Sequence, residues 1–442
     1  MVSGIRNVSM TFAARMCTIV MAVGTESCLA WFLGPSGRGS YAVCLLFATL
    51  LSLVFGVGCD VASIYFVSSK RFSLSEGITY SLIYGGIGSG LAIIAGLILM
   101  QFPLSFFDKA SPTSFYLALI TVPVLLFALV FMGLLTAVQQ FDWFAAVSIL
   151  NGLVKLLLTV VFVWFLSWGV NGALLAIFTT DIITIGTTFV LFSRKYGTVL
   201  AKPSMKKIMD MLHYGARYYI GKVSNQMNFQ IGTMILALFA TKEEIGLFAV
   251  ASVITARAMI IPDTLGTVLI PKIAGNKTGK MELVAQCSRL TAISCGALLL
   301  ILAVFAKPIV MVLFSSAFLP AVPLIRIMAV GVFVRCSCKV FEPFLLGTDH
   351  PGTLSFSVTV GIIFNFIILI LLLPMMGLIG AAVAVSAGYF VSSAFLASAF
   401  IRFSGLTLVE TCHFRMSDWM LMRNLFQKAT KAGCRISDIV KQ

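Results

Sequence analysis

Gly39-Ser40-Tyr41-Ala42-Val43 opens an apolar run, and Gly246-Leu247-Phe248-Ala249-Val250 opens another 207 residues later. Gly169-Val170-Asn171-Gly172-Ala173-Leu174-Leu175-Ala176 and Gly377-Leu378-Ile379-Gly380-Ala381-Ala382-Val383-Ala384 repeat the relation at 208 residues. Two matches at nearly one offset, both at the start of an apolar run, read as a duplicated half. Working outward, the runs fall near 8–32, 41–67, 78–101, 115–138, 143–167 and 170–193, then near 213–240, 245–271, 288–315, 321–347, 352–375 and 377–402. Most reach the roughly 20 residues that cross a bilayer as a helix. Six runs per half is an even number, so both halves share one orientation and are related by an axis along the membrane normal. The expected fold is an all-α integral membrane protein of about twelve transmembrane helices, in two six-helix lobes with a central cleft. The lobes are 1–193 and 213–403, with a cytoplasmic or interfacial linker over 194–212 and a basic cytoplasmic tail over 404–442.

Composition excludes a water-soluble protein. Only 11% of the 442 residues are charged and 60% are apolar, against about 25% charged in soluble domains; mean hydropathy is +1.04. Arg15 and Glu26 interrupt the first run and no small-residue cleavage site follows, so it reads as a span and not a cleaved signal. The net charge of +15 is distributed as topology requires. With the amino terminus inside, the outside loops hold only Arg38, Lys109 and Lys242, while basic residues crowd the inside loops and both termini are cytoplasmic. These charges face anionic headgroups, which excludes nucleic acid as a partner. Seven of the ten cysteines fall inside spans. Cys336-Ser337-Cys338 points its thiols to different faces of a helix, poor spacing for a metal, so no metal site is expected.

Charge at bilayer depth costs at least ~2.5–3.5 kcal/mol, so charged residues within spans must face water, pair, or reach an interface. Arg217 and Arg326 lie near span ends and Lys307 precedes Pro308, which suits anchoring or a helix break. Arg335, Lys339 and Glu342 share one helical face. Tyr218, Lys222, Asn225 and Gln226 share another, with Asn228 close by. Arg257 precedes Pro262-Asp263, where proline should kink the helix. Basic residues outnumber acidic ones in the spans, so mutual neutralisation is incomplete and an anionic cargo is favoured. Arg15, Lys155, Lys222, Arg257, Arg335 and Lys339 are the expected substrate-binding cations, with the arginines suited to forked contact with phosphate. Asn225, Gln226 and Asn228 are polar contacts for sugar hydroxyls or for neighbouring helices. Glu26, Asp60, Asp181, Asp263 and Glu342 are expected either to couple protons or sodium or to form salt bridges. No catalytic residue and no cofactor is expected. In the linker, Ser204 can cap a short helix with Met205, Ile208, Met209 and Leu212 on one face, resting on the cytoplasmic interface.

Leu33-Gly34-Pro35-Ser36-Gly37-Arg38-Gly39-Ser40-Tyr41-Ala42 resembles the first loop of polysaccharide transporters of the O-antigen flippase (Wzx-type) branch. That branch sits within the multidrug/oligosaccharidyl-lipid/polysaccharide exporter superfamily. Similar echoes are Glu244-Ile245-Gly246-Leu247-Phe248-Ala249-Val250-Ala251, Val268-Leu269-Ile270-Pro271-Lys272-Ile273-Ala274, Phe318-Leu319-Pro320-Ala321-Val322-Pro323-Leu324 and Gly377-Leu378-Ile379-Gly380-Ala381-Ala382. The resemblance covers residues about 5 to 403 and offers helix-start patterns, with no site motif to carry over. It implies alternating access and outward transfer of an undecaprenyl-pyrophosphate-linked oligosaccharide for O-antigen, capsular or exopolysaccharide, in the bacterial inner membrane. Its partners would be the lipid-linked substrate, the bilayer, and the polymerase and glycosyltransferases of the same assembly. A multidrug or cation antiporter of the superfamily is the alternative. It should favour acidic, aromatic cavities, whereas these spans are net basic. Lipid II flippases usually carry two further helices. A membrane glycan polymerase is an enzyme needing a large outside loop, and the longest here, around Gln101 to Ser114, is short and lacks an acid/base pair.

Overall fold

The computed structural model describes residues 2–197, 200–266, 280–348 and 350–407. These are almost entirely helical. The first half contains α1 (Val2–Gly56), α2 (Cys59–Ser68), α3 (Leu74–Leu99), α4 (Pro112–Ala137), α5 (Phe141–Thr159) and α6 (Gly169–Tyr196). The chain continues through α7 (Met205–Phe239) and α8 (Lys242–Ala256) to α9 (Lys280–Val304), α10 (Ala306–Phe314) and α11 (Val322–Lys339). α12 (Glu342–Gly347), α13 (Pro351–Met376) and α14 (Leu378–Ser404) close the described chain.

Among the described residues, ten helices are long and apolar enough to cross a membrane. The first of these, Met16–Gly56, holds most of the first expected span and more than half of the second, joined across a non-helical Gly34 (φ 63, ψ −178) that precedes Pro35. The expected loop around Arg38 is therefore helical. In the expected span over 213–240, the apolar part is Gln230–Phe239. The linker helix is not a short separate element either, because α7 runs unbroken from Met205 to Phe239 and Ser204 makes no side-chain cap bond. Other helix starts are capped by their own sequence. Ser73 and Glu76 bond reciprocally to each other's backbone N–H groups (3.2 and 3.0 Å), and Thr241 and Glu244 do the same (3.3 and 2.8 Å). The tail after residue 407 lies outside the described residues.

Small residues let some helices pack closely while large apolar side chains face outward, an arrangement suited to lipid surroundings. On α3, Gly77, Ser81, Gly85, Ala92 and Gly96 are buried, while Ile87, Leu91, Ile94 and Ile98 are exposed. On α13 and α14, Gly361 abuts Ser392 and Gly388 abuts Asn365 so closely that a Cβ at either glycine would lie 2.6 Å from the neighbouring Cβ.

The chain forms two compact units, Met1–Val250 with Lys307–Val322, and Ala251–Ala306 with Pro323–Gln442. The first is centred on Phe66, Phe72, Tyr80, Phe131, Leu134 and Phe192. The second has two buried groups, one around Phe341, Phe344 and Phe400, the other around Met259, Cys295, Val332 and Tyr389.

Candidate functional site

Both runs of the pair that begins at Gly39 and Gly246 are interrupted. In the first unit, the run beginning at Gly39 stops at Gly56 and resumes as α2 at Cys59. Val57 (φ 36) and Gly58 (φ 72) take left-handed conformations at the break, which only glycine adopts at little cost. The freed Val57 carbonyl accepts a hydrogen bond from the Tyr84 hydroxyl at 2.9 Å. Gly58 and Gly215 of α7 meet backbone to backbone: a Cβ at Gly58 would lie 2.7 Å from the Gly215 oxygen, and one at Gly215 would lie 2.6 Å from the Val57 oxygen. Asp60 follows in the first turn of α2. Gly56-Val57-Gly58 was the signal for this break, two glycines within three residues of an otherwise continuous apolar run.

In the second unit, α8 tightens into a 3-10 turn at Arg257–Met259 before helix resumes over 260–266. The interruption thus begins more than one turn before the expected kink at Pro262-Asp263. The half-buried Arg257 has a buried Nε without a hydrogen-bond partner. Asp263 pairs with Lys339 at 2.6 Å. Arg335, only 2% exposed, pairs with Glu342 across the junction between α11 and α12, and its second terminal nitrogen has no partner. Arg335, Lys339 and Glu342 therefore divide between two ion pairs, one of them closed by a residue far away in sequence.

Two further groups lie in the first unit. Glu26 pairs with Arg38 at 2.6 Å, and the Arg38 guanidinium lies over the Tyr41 ring, 5.1 Å from its centre. Sequence reasoning placed Arg38 in an outside loop. It is instead buried within α1, because the chain continues helically past Gly34. Asn151 of α5 donates to Asp181 (3.4 Å) and to Thr184 (2.8 Å) of α6, and the Lys155 charge acts on the same carboxylate. Asn151 and Thr184 were missed because neither is charged. Gln226 is half-buried on α7. The side chains of Arg15, Lys222, Asn225 and Asn228 lie outside the described residues. Among the described residues no group of three or more His, Cys, Asp or Glu is placed to hold a metal.

Paired interruptions in the two halves of a duplicated membrane protein are where transporters hold their cargo. The model of a family described as polysaccharide biosynthesis proteins matches residues 5–277. The chain belongs to that family.

Curated relatives of this polysaccharide biosynthesis protein include the probable low-salt glycan biosynthesis flippase Agl15 of Haloferax volcanii. It is 22% identical over 206 residues, 45% of this chain and 43% of that protein, so the chain spans less than half of that relative's length. The succinoglycan biosynthesis transport protein ExoT of Rhizobium meliloti is 19% identical over 360 residues, 79% of this chain and 70% of ExoT. Among solved structures, the lipid II flippase MurJ in an inward closed conformation superimposes with a TM-score of 0.74 at 14% identity, over 95% of this chain and 92% of MurJ. An inward-facing multidrug resistance transporter of the MATE family, in the MOP superfamily, gives 0.72 at 16% identity, over 90% and 98%. This polysaccharide biosynthesis protein is thus an all-α, multi-pass membrane protein with the two-lobed transporter fold of that superfamily. The two curated relatives named above are a probable flippase and a transport protein.

Proposed function

We propose that the protein is a flippase that moves an undecaprenyl-pyrophosphate-linked oligosaccharide repeat unit from the cytoplasmic to the outer leaflet of the bacterial inner membrane by alternating access. The cargo belongs to O-antigen, capsular or exopolysaccharide assembly. The observation that carries this reading is the match to polysaccharide biosynthesis proteins over most of the chain, on an exporter fold with an interruption in the second run of each half. The orientation has both termini in the cytoplasm, with two lobes of six spans meeting through the 194–212 linker.

Among the cations expected to meet the cargo, Arg335 and Lys339 have acidic partners. Arg257 makes no ion pair with a described residue, and Lys155 lies near a carboxylate held by Asn151. Arg257 is the residue proposed to meet the pyrophosphate, its fork matching two phosphate oxygens. Asp181, supported by Asn151 and near Lys155, is the proposed coupling carboxylate for protons or sodium.

Deleting the gene tests the reading. Lipid-linked repeat units should accumulate on the cytoplasmic side while surface polymer disappears. Drug sensitivity with intact surface glycan would instead assign the protein to multidrug efflux, the reading favoured by its likeness to the MATE fold. Reporter fusions at Lys202 and Lys280 should both report cytoplasm, and an outside signal at either would overturn the orientation.

A further inference from the structure

Apart from the charged spans, the first unit holds an open cavity of about 660 Å³ where the turn after α2 meets the first turns of α7. Its lining includes the basic residues Arg71, Lys206, Lys207 and His213, and Asp210 is the acidic residue lining it. The turn is fixed: Lys70 is left-handed (φ 58), and the N–H groups of Arg71 and Phe72 both donate to the Phe66 carbonyl at 3.0 Å. Tyr65 of α2 and Tyr214 of α7 stack at 4.0 Å and hold the two walls together. The Arg71 guanidinium lies 5.6 Å from the centre of the Tyr65 ring and makes no ion pair with a described residue. Lys207 pairs with Glu76, but Lys206 has no acidic partner among the described residues.

Beside this basic cavity, Met205, Met209 and Leu212 expose one face of α7, at 75%, 56% and 36%. An apolar stripe flanking basic side chains fits the boundary between acyl chains and headgroups. A soluble anion would satisfy the cations and leave the stripe in water. We propose that the cavity binds the phosphate head of an anionic phospholipid, with Arg71 and Lys206 as donors and the methionine stripe against its acyl chains. The bound phosphate bridges the α2–α3 turn and α7, so leaflet composition bears directly on how firmly the linker region is held. This rests on the cytoplasmic orientation proposed above but not on the cargo.

The test uses the purified full-length protein in phosphatidylcholine nanodiscs, with phosphatidylglycerol added at increasing mole fraction and thermal stability as the readout. Phosphatidylglycerol should raise the melting temperature saturably, while further phosphatidylcholine and millimolar inorganic phosphate should not. K206Q removes no ion pair and should raise the half-saturating fraction roughly fivefold. R71Q/K206Q should raise it roughly twenty- to thirtyfold, and R194Q, whose side chain does not line the cavity, less than about twofold. Unchanged half-saturation in K206Q, or an equal loss in R194Q, would overturn the site. An equal response to inorganic phosphate would overturn the lipid assignment. Because no transport is measured, the outcome is separable from the flippase reading.

Discussion

The second span of the first half and its counterpart in the second half begin alike and break differently. Gly39 and Gly246 start the two runs at equivalent positions. The first run then breaks at Val57–Gly58 and the second at Arg257–Met259, about two helical turns earlier relative to its start. The first break is held by backbone: glycine against glycine, and a tyrosine hydroxyl on the freed carbonyl. The second is flanked by charge, with Arg257 on the break and Asp263 just beyond it paired to Lys339, which follows the Arg335 of the Arg335–Glu342 pair by four residues. The two similar starts thus lead to a sterically packed break in one run and to a break flanked by charge in the other. On the function proposed above, the charged break is the one that meets the anionic cargo.

The comparison breaks if charge is not what holds the second half. Replacing Arg335 with alanine strands Glu342 and should cost about 3–5 kcal/mol, measured as loss of thermal stability in detergent, with part of it recovered in R335A/E342A. Gly58→Val should follow at about 2–4 kcal/mol, from left-handed strain plus overlap with the Gly215 carbonyl. If it proved neutral, the steric description of the first break would fall. Tyr84→Phe leaves the Val57 carbonyl without its donor and should cost about 1 kcal/mol. Lys339→Met should cost less than about 1 kcal/mol, since its partner Asp263 is half exposed. Arg257→Lys should change stability by no more than about 0.5 kcal/mol yet reduce polysaccharide display, because a point charge lacks the guanidinium fork. Full display in that variant would remove Arg257 from the cargo site.

Much of this fold is written in local sequence. The apolar runs, the paired glycine-led starts and the charge asymmetry each depend on residues close together in the chain. Ion pairs do not. Lys339 reads as the neighbour of Arg335 on a helix face, yet its partner Asp263 arrives from a helix far earlier in the sequence. Glu342 reaches Arg335 because α11 ends at Lys339 and the chain turns, which a helical-face projection cannot include. Arg38 reads as a loop residue because it falls between the apolar runs 8–32 and 41–67; the chain instead bends at Gly34 and stays helical, carrying the guanidinium inside to Glu26. The break at Gly56-Val57-Gly58 was legible in principle, but in a chain with 36 glycines two more do not stand out until the Gly215 backbone is seen against them.

The close approach at Gly39 has one more consequence. A Cβ on Gly39 would overlap the carbonyl of Lys242, and one on Gly246 would overlap that of Pro35. Lys242 stands in the same relation to Pro35 as Gly246 does to Gly39, so the contact is reciprocal under the duplication offset. Such self-complementary contacts are the signature of a twofold interface between identical chains. A side chain at either glycine would part the same two helix starts, so neither side of the contact varies alone.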